Sequence, residues 1–202
     1  MKNLLIIATL FIASISFAEK KAAVNTTKPA INKMAVTGVL KWTGFGVGKS
    51  HTGEIALKSG TVEMKGSDLI GGLFVLDMGT LTTADSPKLQ GHLRTADFFD
   101  VEKFKEGAFK ITKVEALKDA KAGAPTHKIT GDLTIKGKTH TEEFLATITK
   151  QGAAFVAKAD AEIKDRTQYD IVYNSSKFKT ASALGDKLIN DNIKIQLDLK
   201  TN

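Results

Sequence analysis

The 202-residue chain contains no cysteine. It therefore has no disulfide, no thiolate metal ligand and no cysteine nucleophile. Arginine is scarce, with only Arg94 and Arg166. Base readout favours arginine, and no nucleic-acid-binding motif is present, so nucleic acid is excluded as a partner. The four histidines, His51, His92, His127 and His140, form no H-x-H, H-E-x-x-H or H-x-x-x-H pair. A zinc site needs three or four converging ligands, and none is spelled out here. No G-x-S-x-G elbow occurs. Gly44 to Ser50 (GFGVGKS) ends like a phosphate loop, but Gly44 stands four residues before Gly48 where that loop needs five. It reads instead as a flexible connection. These absences leave no reactive group to build on, and the chain reads as a non-enzyme without cofactor.

Long apolar runs are also missing beyond the first twenty residues. Lys2, the apolar stretch Leu4 to Ile15, and Ser16-Phe17-Ala18 before Glu19 form a signal peptide over 1–18. The mature protein is expected in the periplasm, with a net charge of +7 − 1 = +6 once Lys2 is removed. Residues 19–33 have little apolar content and read as a spacer. The remaining 34–202 suits one domain. Its lysines alternate with apolar residues, as on a solvated sheet face. They could ease transient contact with an anionic membrane surface, although solubility and edge protection explain them more simply. A homodimer is compatible with the pattern.

From Met34 onward the dominant period is two. Val36, Leu40 and Trp42 share a face. Residues 53–65 suggest two short strands around Ser59-Gly60. In 69–78, Ile70, Phe74, Leu76 and Met78 are in phase. The clearest alternations place His127, Ile129, Gly131, Leu133 and Ile135 opposite a wet face that includes Lys136. Phe144, Ala146 and Ile148 follow. Ala153, Phe155, Ala157, Ala159, Ala161 and Ile163 then line up, and Ile193, Ile195, Leu197 and Leu199 close the chain. One greasy and one wet face per strand indicates an antiparallel sheet with one solvated side. About eight such strands must stack or close, and closure at eight leaves an interior that is either filled or holds one small ligand. The inward alanines would leave room inside, or else meet large partners across a filled core. A short helix is expected at 86–97, where Ser86-Pro87 supplies a cap and first turn.

The ordered motifs LKWTG (40–44), HTG (51–53), Asp77-Met78, His92-Leu93, DFFDV (97–101), GDLTIKG (131–137), Asp165-Arg166-Thr167 with Tyr169 and Tyr173, and GDKLI (185–189) with Asp191 resemble the YceI-like family of exported, lipocalin-like, lipid-binding proteins. The resemblance runs from about Val39 to Leu199. It implies an all-β, single antiparallel lipocalin-like barrel whose apolar channel holds a polyisoprenoid or another long-chain amphiphile. Lys105 and Tyr169 stand where that pattern usually has proline and often has tryptophan.

Binding of such a chain needs only a cavity and a few polar anchors. Burying about ten methylenes gains on the order of 8 kcal/mol before ordering costs. The candidate wall comprises Trp42, Phe74, Phe98, Phe99, Phe109, Phe144, Phe155, Tyr169 and Tyr173, each of which could equally be ordinary core. The candidate anchors are His51, His92 and Arg166. Arg166 could hold a phosphate or quinone oxygen through its planar fork, or pair with Asp97 or Asp100. The expected ligand is a long-chain isoprenoid or a fatty amphiphile. The competing expectation is an exported structural or partner-binding barrel packed solid.

Overall fold

The computed structural model describes residues 30–118 and 120–201. The expected signal peptide and residues 19–29 of the spacer lie outside these residues. Eight strands follow one another: β1 (Ile31–Gly46), β2 (Lys49–Lys65), β3 (Asp68–Asp77), β4 (Glu106–Ala116), β5 (His127–Ile135), β6 (Lys138–Gln151), β7 (Ala154–Ile163) and β8 (Ile189–Thr201). Each pairs antiparallel with its sequence neighbours, and β8 returns to β1 to close the barrel. Closure removes the free edges that a one-sided sheet would otherwise expose.

Several local expectations change. β1 begins at Ile31, where Ile31 already opposes Lys65, so the last spacer residues belong to the sheet. β2 is one strand through Ser59-Gly60. A register shift between Leu57 and Ser59 bends it there, and Gly60 packs close to Val36 and the Phe74 ring. A second shift, between Glu63 and Met64, leaves Ile70 of β3 without a partner in β2. Leu69 therefore takes the inner side and Ile70 is exposed. The 44–50 segment is no loose connection. Val47-Gly48 is a two-residue hairpin turn, with Gly48 at φ 66. Lys136 leaves the wet face as well. With Gly137 it forms the β5–β6 turn, both at positive φ (48 and 70), and it is buried.

Four connections share one end of the barrel. Two are tight turns, β1–β2 and β5–β6. The other two are long crossovers, 78–105 and 164–188. The first carries helix α1 (Pro87–Leu93), whose Ser86 side chain caps the Leu89 amide. This helix is shorter than 86–97, because Thr95 Oγ1 takes the His92 carbonyl and Phe99 N–H returns to the Leu93 carbonyl. The second carries a 3-10 turn (Arg166–Tyr169) and the four-residue helix α2 (Ala181–Leu184). Leu81, Leu93, Phe98 and Val101 from the first crossover join Tyr169 and Ile171 from the second in one buried cluster. Lys136 bolts them together by donating to the Ala96 carbonyl (3.1 Å) and the Asp170 carbonyl (2.8 Å).

The barrel has a seam at this end. β6 and β7 pair only from Leu145–Asp160 to Gln151–Ala154. Beyond that, β6 continues against β5 and β7 against β8. The 3-10 turn fills the gap. His140 Nε2 donates to the Gln168 carbonyl (3.0 Å), and the Tyr169 hydroxyl donates to Glu142 (2.8 Å).

Candidate functional site: an apolar cavity with a polar mouth

The interior is not filled. A cavity of ≈ 460 Å³ runs among the inward faces of the strands. β7 explains much of it. Its inward residues Ala157, Ala159 and Ala161 oppose Leu199, Leu197 and Ile195 on β8 and line the cavity. A large side chain at any of these three would occupy the void, so alanine here leaves room.

Aromatic rings supply much of the remaining lining: Trp42 from β1, Phe74 from β3, Phe109 from β4, Phe144 from β6 and Phe155 from β7 itself. The Phe109 and Phe144 rings meet at 5.4 Å, tilted by 46°. Their placement depends on glycine. A Cβ on Gly131 would come within 2.3 Å of the Phe109 ring, so only glycine lets that ring lie across β5. Likewise a Cβ on Gly53 would stand 1.9 Å from the Thr82 carbonyl and 2.7 Å from the Trp42 indole. Gly53 thus lets the 82–84 segment run along β2 while Trp42 stacks beneath it. Trp42 Nε1 is a buried donor that finds no hydrogen-bond partner among the described residues.

The mouth is built by the shared end. Phe98, Phe99 and His92 come from the first crossover, Tyr173 from the second, and His51 from β2. His92 meets Phe98 (5.0 Å) and Tyr173 (4.9 Å) edge to face, so one ring ties the crossovers together. Each histidine is backed by a carboxylate. His92 Nε2 lies 2.8 Å from Asp97 Oδ2, and His51 Nδ1 lies 3.1 Å from Asp85 Oδ1. The second contact is poorly aligned for a hydrogen bond. Even so, the His51 side chain and then the Thr83 hydroxyl hold the Asp85 carboxyl below its ordinary range. Lys49, Lys187 and Asn190 also line the cavity and are exposed, so it reaches the surface beside the β1–β2 turn.

Two expected site residues have other work. Tyr169 is fully buried in the seam and does not line the cavity; its ring meets His140 edge to face at 5.1 Å. The seam, which strand periodicity cannot show, draws it there. Arg166 touches the cavity but pairs with neither Asp97 nor Asp100. Its guanidinium donates to the carbonyls of Asn190 (3.0 Å), Ile171 (2.6 Å), Tyr173 (3.0 Å) and Ile189 (3.1 Å). Asp191 lies 3.5 Å away. Burial pulls the Arg166 pKa below its ordinary value, and Asp191 and Asp165 offset this only in part. Four of its five donors are thereby used on the protein. The neighbouring Asp165 accepts from Thr167 N–H (3.0 Å) and Oγ1 (2.6 Å) and from Lys177 (2.5 Å). The Asp165-Arg166-Thr167 motif with Tyr169 is therefore a clamp that ties the second crossover to β8 and to the β6–β7 seam.

Sequence reasoning missed Glu142, Lys49, Asn174 and Lys187 on the cavity lining. Glu142 was legible as an inward position, two residues before Phe144. The others depend on how the crossovers fold back. Among the described residues, no group of three or more His, Asp or Glu could hold a metal ion.

A family model described as the YceI-like domain matches residues 16–201. The chain belongs to the YceI-like family. A UPF0312 protein of Pseudomonas putida (strain W619) is 39% identical over 61 residues, covering 30% of this chain and 29% of its own length. A second, from Pseudomonas putida (strain GB-1), matches to the same extent. The chain thus spans under a third of the length of these curated relatives. Among solved structures, Burkholderia cenocepacia BcnA superposes with a TM-score of 0.63 at 18% identity, covering 82% of this chain and 96% of that one. A polyisoprenoid binding domain from Saccharophagus degradans, implicated in plant cell wall breakdown, gives 0.60 at 13% identity, covering 84% and 98%. The Campylobacter jejuni YceI protein gives 0.51 at 14%, covering 100% and 99%. At these identities the likeness is one of fold, and it places the YceI-like architecture beside the closed barrel described above.

Proposed function

We propose that this protein binds one long apolar chain in the barrel and shields it from water in the periplasm, without catalysis. The favoured class is an isoprenoid lipid, either a polyprenyl chain or the tail of an isoprenoid quinone, with fatty amphiphiles second. One observation carries this reading: a ≈ 460 Å³ cavity lined by aromatic and aliphatic side chains inside a closed barrel. Such a space stabilises an alkyl or isoprenoid tail by about 0.8 kcal/mol per buried methylene. Family membership and the similarity to a polyisoprenoid-binding domain support the ligand class. The tail lies between the alanines of β7 and the rings of β3, β4 and β6. The head sits near the mouth, where His51 and His92 each present an imidazole to the cavity. The 1–18 signal supports export.

The test is extraction of the purified protein with organic solvent followed by mass spectrometry. One long-chain species at near-equimolar amount is expected. Recovery of buffer molecules alone from protein that also fails to take up added polyprenol would overturn the reading.

A further inference from the structure

Phe178 is the most exposed large apolar side chain among the described residues, at 60%. It lies in the second crossover. Val47, at 52%, forms the tip of the β1–β2 turn. The fold brings these two tips to the same end of the barrel. The base of the turn is held where Gly46 pairs with Ile189. The amide of Ile189 in turn donates to the Asn174 carbonyl, and Phe178 follows one turn later, its amide donating to Ser175. Gly46, Asn174 and Ile189 also line the cavity, so the tips flank its mouth.

The surroundings are cationic. Lys49, Lys179 and Lys187 are exposed here, and Lys194 stands 5.7 Å over the Phe45 ring. Lys177 is paired with Asp165, and Asp191 faces Arg166; the exposed carboxylates beside the lysines are Asp186 and Glu162, which stands opposite Lys194 and accepts from Asn192. Apolar tips ringed by lysines at the opening of an apolar cavity match the layered chemistry of an anionic bilayer, with charged headgroups above hydrocarbon. A tail that crossed to the protein through water would expose every methylene on the way, whereas a mouth seated on the bilayer avoids that barrier.

We propose that this end of the barrel docks on an anionic lipid bilayer. Val47 and Phe178 insert between headgroups, the lysines face them, and the cavity mouth opens towards the hydrocarbon. The inference rests on the lipid-chain reading of the cavity. Neither tip residue lines that cavity, so docking and chain binding can be separated.

The experiment is flotation of the purified protein with vesicles of phosphatidylcholine, with and without phosphatidylglycerol. It is run in parallel with uptake of a fluorescent polyprenyl probe delivered either from detergent or from the same vesicles. The wild type should float with anionic vesicles and release at high salt. Val47→Ser with Phe178→Ser should weaken flotation about tenfold, and Lys179→Glu several-fold, since each basic residue adds on the order of a few-fold. Both variants should take up probe from detergent normally and from vesicles slowly. Absence of wild-type flotation, or equal flotation by the double variant, would overturn the docking. Self-association in solution that the double variant abolishes, with no vesicle binding, would assign this face to a second copy and overturn it too. Flotation without uptake from either source would sink the cavity reading and leave the docking standing.

Discussion

The Tyr169 hydroxyl donates a 2.8 Å hydrogen bond to Glu142, a cavity-lining carboxylate on the far side of the β6–β7 seam. Burial, then the bond to Glu142, drive the phenol pKa far above its ordinary value. A raised folded-state pKa means the contribution is present below the unfolded value near 10 and is lost as pH rises beyond it. Tyr169→Phe should lower stability by about 1–2 kcal/mol at neutral pH and flatten the alkaline limb of a pH–stability curve. Probe uptake should stay near wild type, because the ring wedges the seam and does not line the cavity. Loss of uptake with the fold retained would place Tyr169 in the ligand site.

Asp165 behaves in the opposite sense. Burial raises its pKa, but the hydrogen bonds from Lys177 and Thr167 outweigh this and hold it at about 2. A depressed folded-state value contributes stability above the unfolded pKa, which is lost as pH falls through about 2. The difference from 3.8 corresponds to about 2 kcal/mol. Asp165→Asn should therefore destabilise by roughly that amount at pH 7 and by little near pH 2, as read by urea denaturation across pH.

Arg166 should be intolerant of any replacement. Arg166→Met leaves the carbonyls of Ile171, Tyr173, Ile189 and Asn190 without their donor, with the half-buried Asp191 beside them. The expected loss is about 3–5 kcal/mol. Arg166→Lys should recover less than half of it, because an ammonium cannot reproduce the planar fork. Full stability in the lysine variant would contradict the clamp.

Ala159 offers the converse experiment. It faces the cavity between Ala146 on β6 and Leu197 on β8. Ala159→Phe should fill the void, reducing probe affinity tenfold or more while leaving stability unchanged or raised by about 1 kcal/mol. Titration with the polyprenyl probe and thermal unfolding together check both halves. Unaltered affinity would show that the chain lies elsewhere.

Much of the barrel was legible because alternation survives closure. Most of the inward positions that the period predicts on β5, β6, β7 and β8 line the cavity, from Ile129, Leu133 and Ile135 to Leu197 and Leu199, whereas His127 and Gly131 do not. The errors cluster where a bulge or a turn resets the phase. Ile70 went outward at a bulge, Gly60 stayed inside a strand, and Lys136 turned into a buried bolt. A bulge adds one unpaired residue, and period-two reasoning then reads everything beyond it one face out.

The candidate site divides in the same way. Wall residues on strands, such as Phe144 and Phe155, follow from local pattern. Mouth and clamp residues do not. His92 against Tyr173, Arg166 against four carbonyls and Tyr169 in the seam join segments distant along the chain.

The order of amino acids alone determined which side chains face inward wherever a strand runs without a bulge, and that most of them are greasy or small, since backbone pleating dictates sides there without help from elsewhere. Whether that inside is hollow, and how two long crossovers lock over one rim, emerged only in three dimensions. Both depend on how volumes and hydrogen-bonding groups from remote segments meet, and neighbours along the chain carry no record of that.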